Sequence, residues 1–345
     1  MLEIDGAYGE GGGQLLRTAV ALSAITGRAI RVGNIRAKRS RPGLAPQHLA
    51  ALRAVAALSA ARTGGLELRS ATMEFSPGAI AGGRYRFDVG TAGSVTLVMQ
   101  ALLPVMIAGG APCTATVAGG TDVRAAPPLD YFRAVLLPLL QRMGADVQLT
   151  DRRRGYYPRG GGEVGIAVVP GPALRPLVIP EPGPLRQLAG VAHAGNLPAH
   201  IATRMRSSAL EQLAPPVRER AEIETRVLGT DDAIGQGGAI VAWAATEHSI
   251  LGAGRVAERG VRAEALGAAV GEELAADLAC GATLDVHAAD QLLVYLALAR
   301  GGSFATREVT SHARTAMWLI EQLLPVRFEV SAAGAALMRV AVRPQ

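Results

Sequence analysis

Apolar positions alternate with polar ones over short runs and then recur every three or four residues over longer runs. The two periods follow one another along the chain, which predicts alternating strands and helices. The pattern gives a strand over Leu2–Asp5, a helix over Gln14–Ile25 and a strand over Ala29–Gly33. A helix over Pro46–Ala61 and strands over Leu66–Arg69 and Thr72–Phe75 follow. That order, β-α-β-α-β-β, then repeats. The second copy has a strand at Arg84–Val89, a helix at Ser94–Ala108, a strand at Thr114–Ala118, a helix at Leu129–Met143, and strands at Asp146–Thr150 and Val164–Val169.

A third copy can be assembled from the rest of the chain, but it is interrupted. Its first strand is Leu174–Ile179, after which Pro180, Pro182, Gly183 and Pro184 punctuate the sequence. Its remaining elements are a helix at Ala288–Arg300, a strand at Ser303–Thr306, a helix at Ser311–Leu323, and strands at Val326–Val330 and Leu337–Val342. Between the two parts lie strands at Gln187–Ala194, Ile223–Leu228, Ala239–Ala245 and Ile250–Val256, with helices at Ala199–Leu213 and Arg262–Leu278. The expected fold is α/β (α+β), with three repeated β-α-β-α-β-β units and a smaller inserted α/β domain. Residues 1–182 and 280–345 would form the repeat domain and 183–279 the insert.

Composition narrows the chemistry. Half of the 345 residues are apolar and 19% are charged, which suits a well-cored globular protein and excludes disorder. Two cysteines, far apart, make neither a disulfide framework nor a zinc motif, and suit a reducing compartment. No secretory leader is visible, and the apolar run near Val95–Ala108 is too short to span a bilayer. A cytoplasmic location is therefore expected, with no membrane partner. Of the 35 basic side chains only Lys38 is a lysine. This excludes a lysine-bearing phosphate loop, and lysine covalent chemistry anywhere but position 38. A net charge of +6 points to an anionic partner such as a nucleotide or nucleic acid.

Five stretches carry candidate chemistry. Glu10-Gly11-Gly12-Gly13-Gln14-Leu15-Leu16-Arg17 feeds glycine into a helix start, where free N–H groups attract anions. Gln14 and Arg17 share a helix face, and Glu10 lies just before it. Asn34–Leu44 bears Arg36, Lys38, Arg39 and Arg41 and leads to Gln47 and His48, and arginine forks suit phosphate. Arg154–Val164 reads as a glycine-rich hairpin and says little about function by itself. His287-Ala288-Ala289-Asp290-Gln291 opens one helix and Thr310-Ser311-His312 another. The first offers donors and acceptors for a nucleoside, or a simple N-cap. The second offers an imidazole nucleophile, or an ordinary first-turn residue.

Taken together, E-G-G-G-Q-L-L-R, N-I-R-A-K-R-S-R-P-G-L, G-T-A-G-S, R-G-Y-Y-P-R-G-G-G-E-V, A-D-Q and S-H-A-R-T closely resemble the RNA 3′-terminal phosphate cyclase family, in its order and over most of the chain. The resemblance implies an enzyme that uses ATP as co-substrate and a divalent metal, Mg or Mn. It would convert RNA 3′-phosphate ends to 2′,3′-cyclic phosphates through a covalent histidine–AMP and an RNA-adenylate. His312 matches the adenylated histidine and Glu10 a metal- or triphosphate-associated glutamate. Arg17, Arg36 and Arg39 match phosphate-serving arginines, and Gln47 a polar neighbour. Gln100 and the segment His287, Ala288, Ala289, Asp290 and Gln291 match nucleotide-binding positions, and Pro128 belongs to a turn of the same pocket. Members commonly carry Thr-Asn after the histidine, where this chain has Thr315-Ala316, so one local hydrogen bond is in doubt. A homodimer is compatible with the reading. The alternative is a non-catalytic relative acting in ribosome assembly, against which His312, Arg17 and Arg39 count. An enolpyruvyl transferase of similar repeats would need more lysines than this chain has.

Overall fold

The computed structural model describes residues 1–334 and 336–345. Alternation along the strands leaves one face of each sheet apolar, and the helices cover that face. In Cys113–Gly119, for example, every second residue is buried. Three sheets share one connectivity. Leu2–Asp5 pairs parallel with Ile30–Gly33, which is antiparallel to Met73–Ser76, itself antiparallel to Arg62–Gly64. The second sheet repeats this with Gly83–Asp88, Cys113–Gly119, Gly162–Val169 and Asp146–Gly155. The third does so with Leu177–Val178, Gly302–Thr306, Leu337–Pro344 and Val326–Gly334. The helices of the three units pack on one another, Gly13–Thr26 against Pro46–Leu58, Val95–Ala108 and Ser311–Leu323. One apolar cluster runs through all three units.

The segment between the two parts of the third unit builds a fourth sheet of different connectivity. Leu185–Gly195 lies parallel to Ala221–Leu228 and antiparallel to Gly237–Thr246, which pairs with Ile250–Val256. Helices His200–Glu211 and Ala263–Cys280 cover it, around their own apolar cluster. The short strand Ala233–Ile234 leaves this segment and adds to the second unit's sheet beside Arg154–Gly155. The insert is thus stitched into the repeat body by backbone pairing.

Two expectations are corrected. No strand forms at Leu66–Arg69, and the edge strand is Arg62–Gly64 instead. Gly65 and Arg69 both adopt positive φ, which ends extension, and the turn docks on the basic loop through Arg69 N–H to Leu44 O and Leu44 N–H to Ser70 O. The helix expected over Leu129–Met143 is continuous but widens to a π-helical stretch at Phe132–Leu136, just ahead of Pro138, whose ring has no N–H to donate. Among the described residues no helix is long and apolar enough to cross a membrane.

Candidate active site

The helix Gly13–Thr26 begins at Gly12 with no side-chain cap and no acidic residue in its first turn. Its free N–H groups and positive dipole end are therefore available to an anion. Glycine is required here by crowding. A Cβ on Gly13 would run into the His48 ring, and one on Gly9, whose φ is +56°, into Thr315 Oγ1. The glycine loop can thus lie directly on helices Pro46–Leu58 and Ser311–Leu323.

These elements open into a cavity of about 750 Å³. Glu10, Arg17, Arg36, Arg39, Gln47, Gln100, Pro128, His287, Asp290, Gln291 and His312 all line it. Ala288 and Ala289 do not. They face the apolar core at 0% and 3% exposure, because the helix turns them away from the His287–Gln291 face. Their side chains therefore do not line the cavity, although the segment that carries them does.

At one end, Glu10 Oε2 lies 3.0 Å from His312 Nε2 and 3.5 Å from the Arg39 guanidinium, and Ser311 Oγ donates to Glu10 Oε1. Thr310 caps the His312 helix by accepting from Ala313 N–H at 2.9 Å, and its hydroxyl donates to Asp290 Oδ1 at 2.7 Å. Burial pushes the Asp290 carboxyl up to about 6. Arg36 is held by its donation to Gly43 O at 2.8 Å. Arg17 is nearly buried and makes no ion pair or hydrogen bond among the described residues, and burial lowers its guanidinium to about 10. His48 Nδ1 accepts from Ala45 N–H at 3.2 Å. Burial, then the charges of Arg17 and Arg36, push its imidazole down to about 3, so it is neutral at any physiological pH.

Toward the other end, Gln100 Nε2 donates to Gln291 Oε1 at 2.7 Å, and Gln291 Nε2 donates to His287 O at 3.1 Å. His287 Nε2 is 3.2 Å from Glu273 Oε1, and the Arg255 guanidinium is 2.7 Å from Glu273 Oε2. The Glu273 hydrogen bond raises the His287 imidazole. Asp285 caps this helix through His287 N–H and Ala288 N–H, and accepts from Tyr131 Oη–H at 2.7 Å.

The sequence assigns the insert no role, and Gly254, Arg255, Val256, Glu258 and Leu266 of it form part of the cavity wall. Arg124 and Glu258 bridge body and insert at 3.3 Å. Apolar patterning of the insert strands gave no signal of this, since Arg255 and Glu273 meet only across its tertiary fold. Ala316, at the position where an amide was in doubt, packs in the main apolar cluster, and Thr315 Oγ1 donates back to Ser311 O at 2.8 Å. The glycine-rich stretch Arg154–Val164 lies outside the cavity. It joins two strands of the second sheet and packs Tyr156 against Gly195 and Gly237 of the insert.

Residues 8–330 match the family model described as RNA 3′-terminal phosphate cyclase. The chain is similar to the RNA 3′-terminal phosphate cyclase of Nitrosospira multiformis, 57% identical over all of this chain and 97% of that one. It is 45% identical to the protein of that name from Hyperthermus butylicus, over 94% of this chain and 92% of its relative. Identity to the one from Methanopyrus kandleri is 43%, over 100% and 99% of the two chains.

Proposed function

The chain belongs to the RNA 3′-terminal phosphate cyclase family, and on that premise we propose that this cavity is where it cyclises RNA 3′-phosphate ends with ATP, by way of a covalent adenylate on His312. The observation that carries the reading is the imidazole of His312, oriented by Glu10 at 3.0 Å, at a cavity walled by Arg17, Arg36 and Arg39. The non-catalytic alternative would have no use for that arrangement.

In the first step a His312 ring nitrogen forms a bond to the α-phosphorus of ATP as the bond to the bridging oxygen breaks, and pyrophosphate leaves. Arg17, Arg36 and Arg39, with the open N-terminus of helix Gly13–Thr26, hold the phosphates and offset the charge on the leaving group. Glu10 accepts the ring proton. An oxygen of the RNA 3′-phosphate then displaces the histidine, breaking P–N and forming a phosphoanhydride. Finally the 2′-hydroxyl attacks the 3′-phosphorus, loses its proton and expels AMP. That hydroxyl belongs to the same ribose, so ring closure gains from proximity, and DNA cannot complete it. His287, Pro128, Gln100 and Gln291 border the place of the nucleoside.

A divalent metal fits this cavity through Glu10, because Mg and Mn are commonly held by one or two carboxylates with substrate phosphates completing the shell. When bound it would neutralise phosphate charge. The enzyme is read as cytoplasmic. Incubation with α-labelled ATP tests the nucleophile. Label should enter the protein in an acid-labile, base-stable bond, and His312→Ala should take up none. Uptake by that variant would reject His312.

A further inference from the structure

We propose that Asp122, Asp130 and His193 form a structural site for a borderline divalent cation of the zinc class, separate from the catalytic cavity, that pins the insert to the second repeat unit. Asp122 follows the strand Cys113–Gly119 and Asp130 lies on the first turn of the helix beginning at Leu129, whereas His193 is on the insert strand Leu185–Gly195. All three are at least 96% buried, with exposures of 2%, 4% and 2%. One ligand atom from each lies within 4.8 Å of the others.

Two of the polar atoms turned toward one another have no partner. His193 Nε2 and Asp130 Oδ2 are buried and make no hydrogen bond. They stand 3.6 Å apart, and Nε2 is 3.9 Å from Asp122 Oδ1. Those separations are long for hydrogen bonds. They exceed by half an ångström or less the roughly 3.4 Å edge of a tetrahedron with 2.1 Å bonds around zinc. Arg154 does not fill the gap. Its guanidinium takes the opposite oxygens, Asp122 Oδ2 at 3.1 Å and Asp130 Oδ1 at 2.7 Å, and is shared further with Asp151 at 3.2 Å. Of the inner oxygens, Asp122 Oδ1 accepts from Leu129 N–H at 3.2 Å and keeps a lone pair toward the imidazole, while Asp130 Oδ2 has no partner.

The donor set selects the cation. Two carboxylate oxygens and one imidazole suit zinc, whereas calcium and magnesium favour oxygen alone. Tyr156 Oη lies 3.0 Å from His193 Nδ1. If Nδ1 carries the proton and donates it to Tyr156, the Nε2 lone pair is left for the cation, the usual outer support of a metal-bound histidine. A small cavity of about 140 Å³ lies beside Asp130 and His193. Asp122 and Asp130 also flank the segment Val123–Pro128 that walls the large cavity. A cation here would brace that wall against the insert.

The test uses the full chain, stripped with a chelator and dialysed against Co²⁺ and then Zn²⁺. One tight equivalent is expected, with Co²⁺ giving the visible ligand-field bands of a tetrahedral site and Zn²⁺ displacing it. Free Zn²⁺ at 100 times its Kd should raise Tm by roughly 4 °C. His193→Gln and Asp130→Asn should lose the equivalent and the Tm shift, while Glu10→Gln keeps both. Should the His193 variant not fold, Tyr156→Phe serves instead, with affinity expected to fall about 10- to 100-fold. The proposal is overturned if the wild type holds no tight equivalent, if His193→Gln binds Co²⁺ as the wild type does, or if Tyr156→Phe leaves affinity unchanged. Nε2–H would then simply be a long donor to Asp130.

Discussion

Glu10 Oε2 stands 3.0 Å from His312 Nε2, so a residue of the first glycine loop orients a ring near the other end of the chain. The carboxylate is where a proton leaving that ring would go. Glu10→Gln keeps the shape and a hydrogen-bonding oxygen but cannot take the proton. Its single-turnover rate of adenylate formation should fall by about 10²-fold, the low end for a lost general base, with Tm little changed. A rate within a few-fold of wild type would leave Glu10 as an orienting contact only. Substitution at a metal ligand would give a different signature, a loss restored by raised Mn²⁺.

Arg39 reaches into the same corner, half exposed and 3.5 Å from Glu10. Arg39→Lys retains the charge but replaces a planar fork by a point donor. A fall of about 10- to 100-fold in kcat/KM for ATP is expected if the fork grips phosphate through two bonds. Activity close to wild type would show that charge alone suffices there.

How far the sequence carried this site depends on whether a signal was local. The glycine run, the basic loop and the two helix starts at His287 and His312 each have their own sequence signature, and the structure brings them to one cavity. Helix boundaries were legible because apolar spacing repeats over several turns. Leu66–Arg69 misled because four residues of mixed character carry too little periodicity to outweigh positive φ at Gly65 and Arg69. Ala288 and Ala289 were grouped with their neighbours by family pattern, yet helical geometry sends them to the core. Arg255, Glu273 and Glu258 were not legible at all. They belong to the insert, and nothing local marks a residue whose partner, His287 or Arg124, is supplied by another unit.

Arg17 shows a cost that sequence cannot display. The residue is 9% exposed, and its guanidinium lacks a carboxylate partner among the described residues. Burial lowers its value from the ordinary guanidinium range to about 10, so the unfolded chain binds this proton more tightly than the folded one. The penalty is present in full below pH 10 and is relieved only as pH rises above 10 toward the ordinary guanidinium range. It amounts to about 3 kcal/mol by linkage. Arg17→Met should therefore raise Tm of the free protein, and under the proposed phosphate role of this charge it should weaken ATP binding. ATP should stabilise the wild type and leave the variant nearly unmoved in the same thermal scan. A lowered Tm for the variant would contradict an unpaired charge.

Asp290 supplies a pH dependence near neutrality. Burial raises its carboxyl from 3.8 to about 6, although Thr310 Oγ–H donates to it and works in the opposite direction. The folded state therefore binds the proton more tightly than the unfolded chain. By linkage, the Asp290 contribution destabilises the fold above pH 6. The fold gains stability from this group as pH falls from about 6 toward 3.8, opposite to a salt-bridged carboxylate. Asp290→Asn is neutral throughout and should flatten that part of the profile. Its Tm should exceed that of the wild type at pH 7.5 and approach it near pH 5. The same substitution tests function. The amide can still accept from Thr310, so the His312 helix keeps its cap, but the negative charge near Glu10 is lost. Adenylation at pH 7.5 should then change less than 10-fold, with the acid limb between pH 5 and 7 reduced. If the difference in Tm between variant and wild type is the same at pH 5 and 7.5, Asp290 does not titrate in this interval.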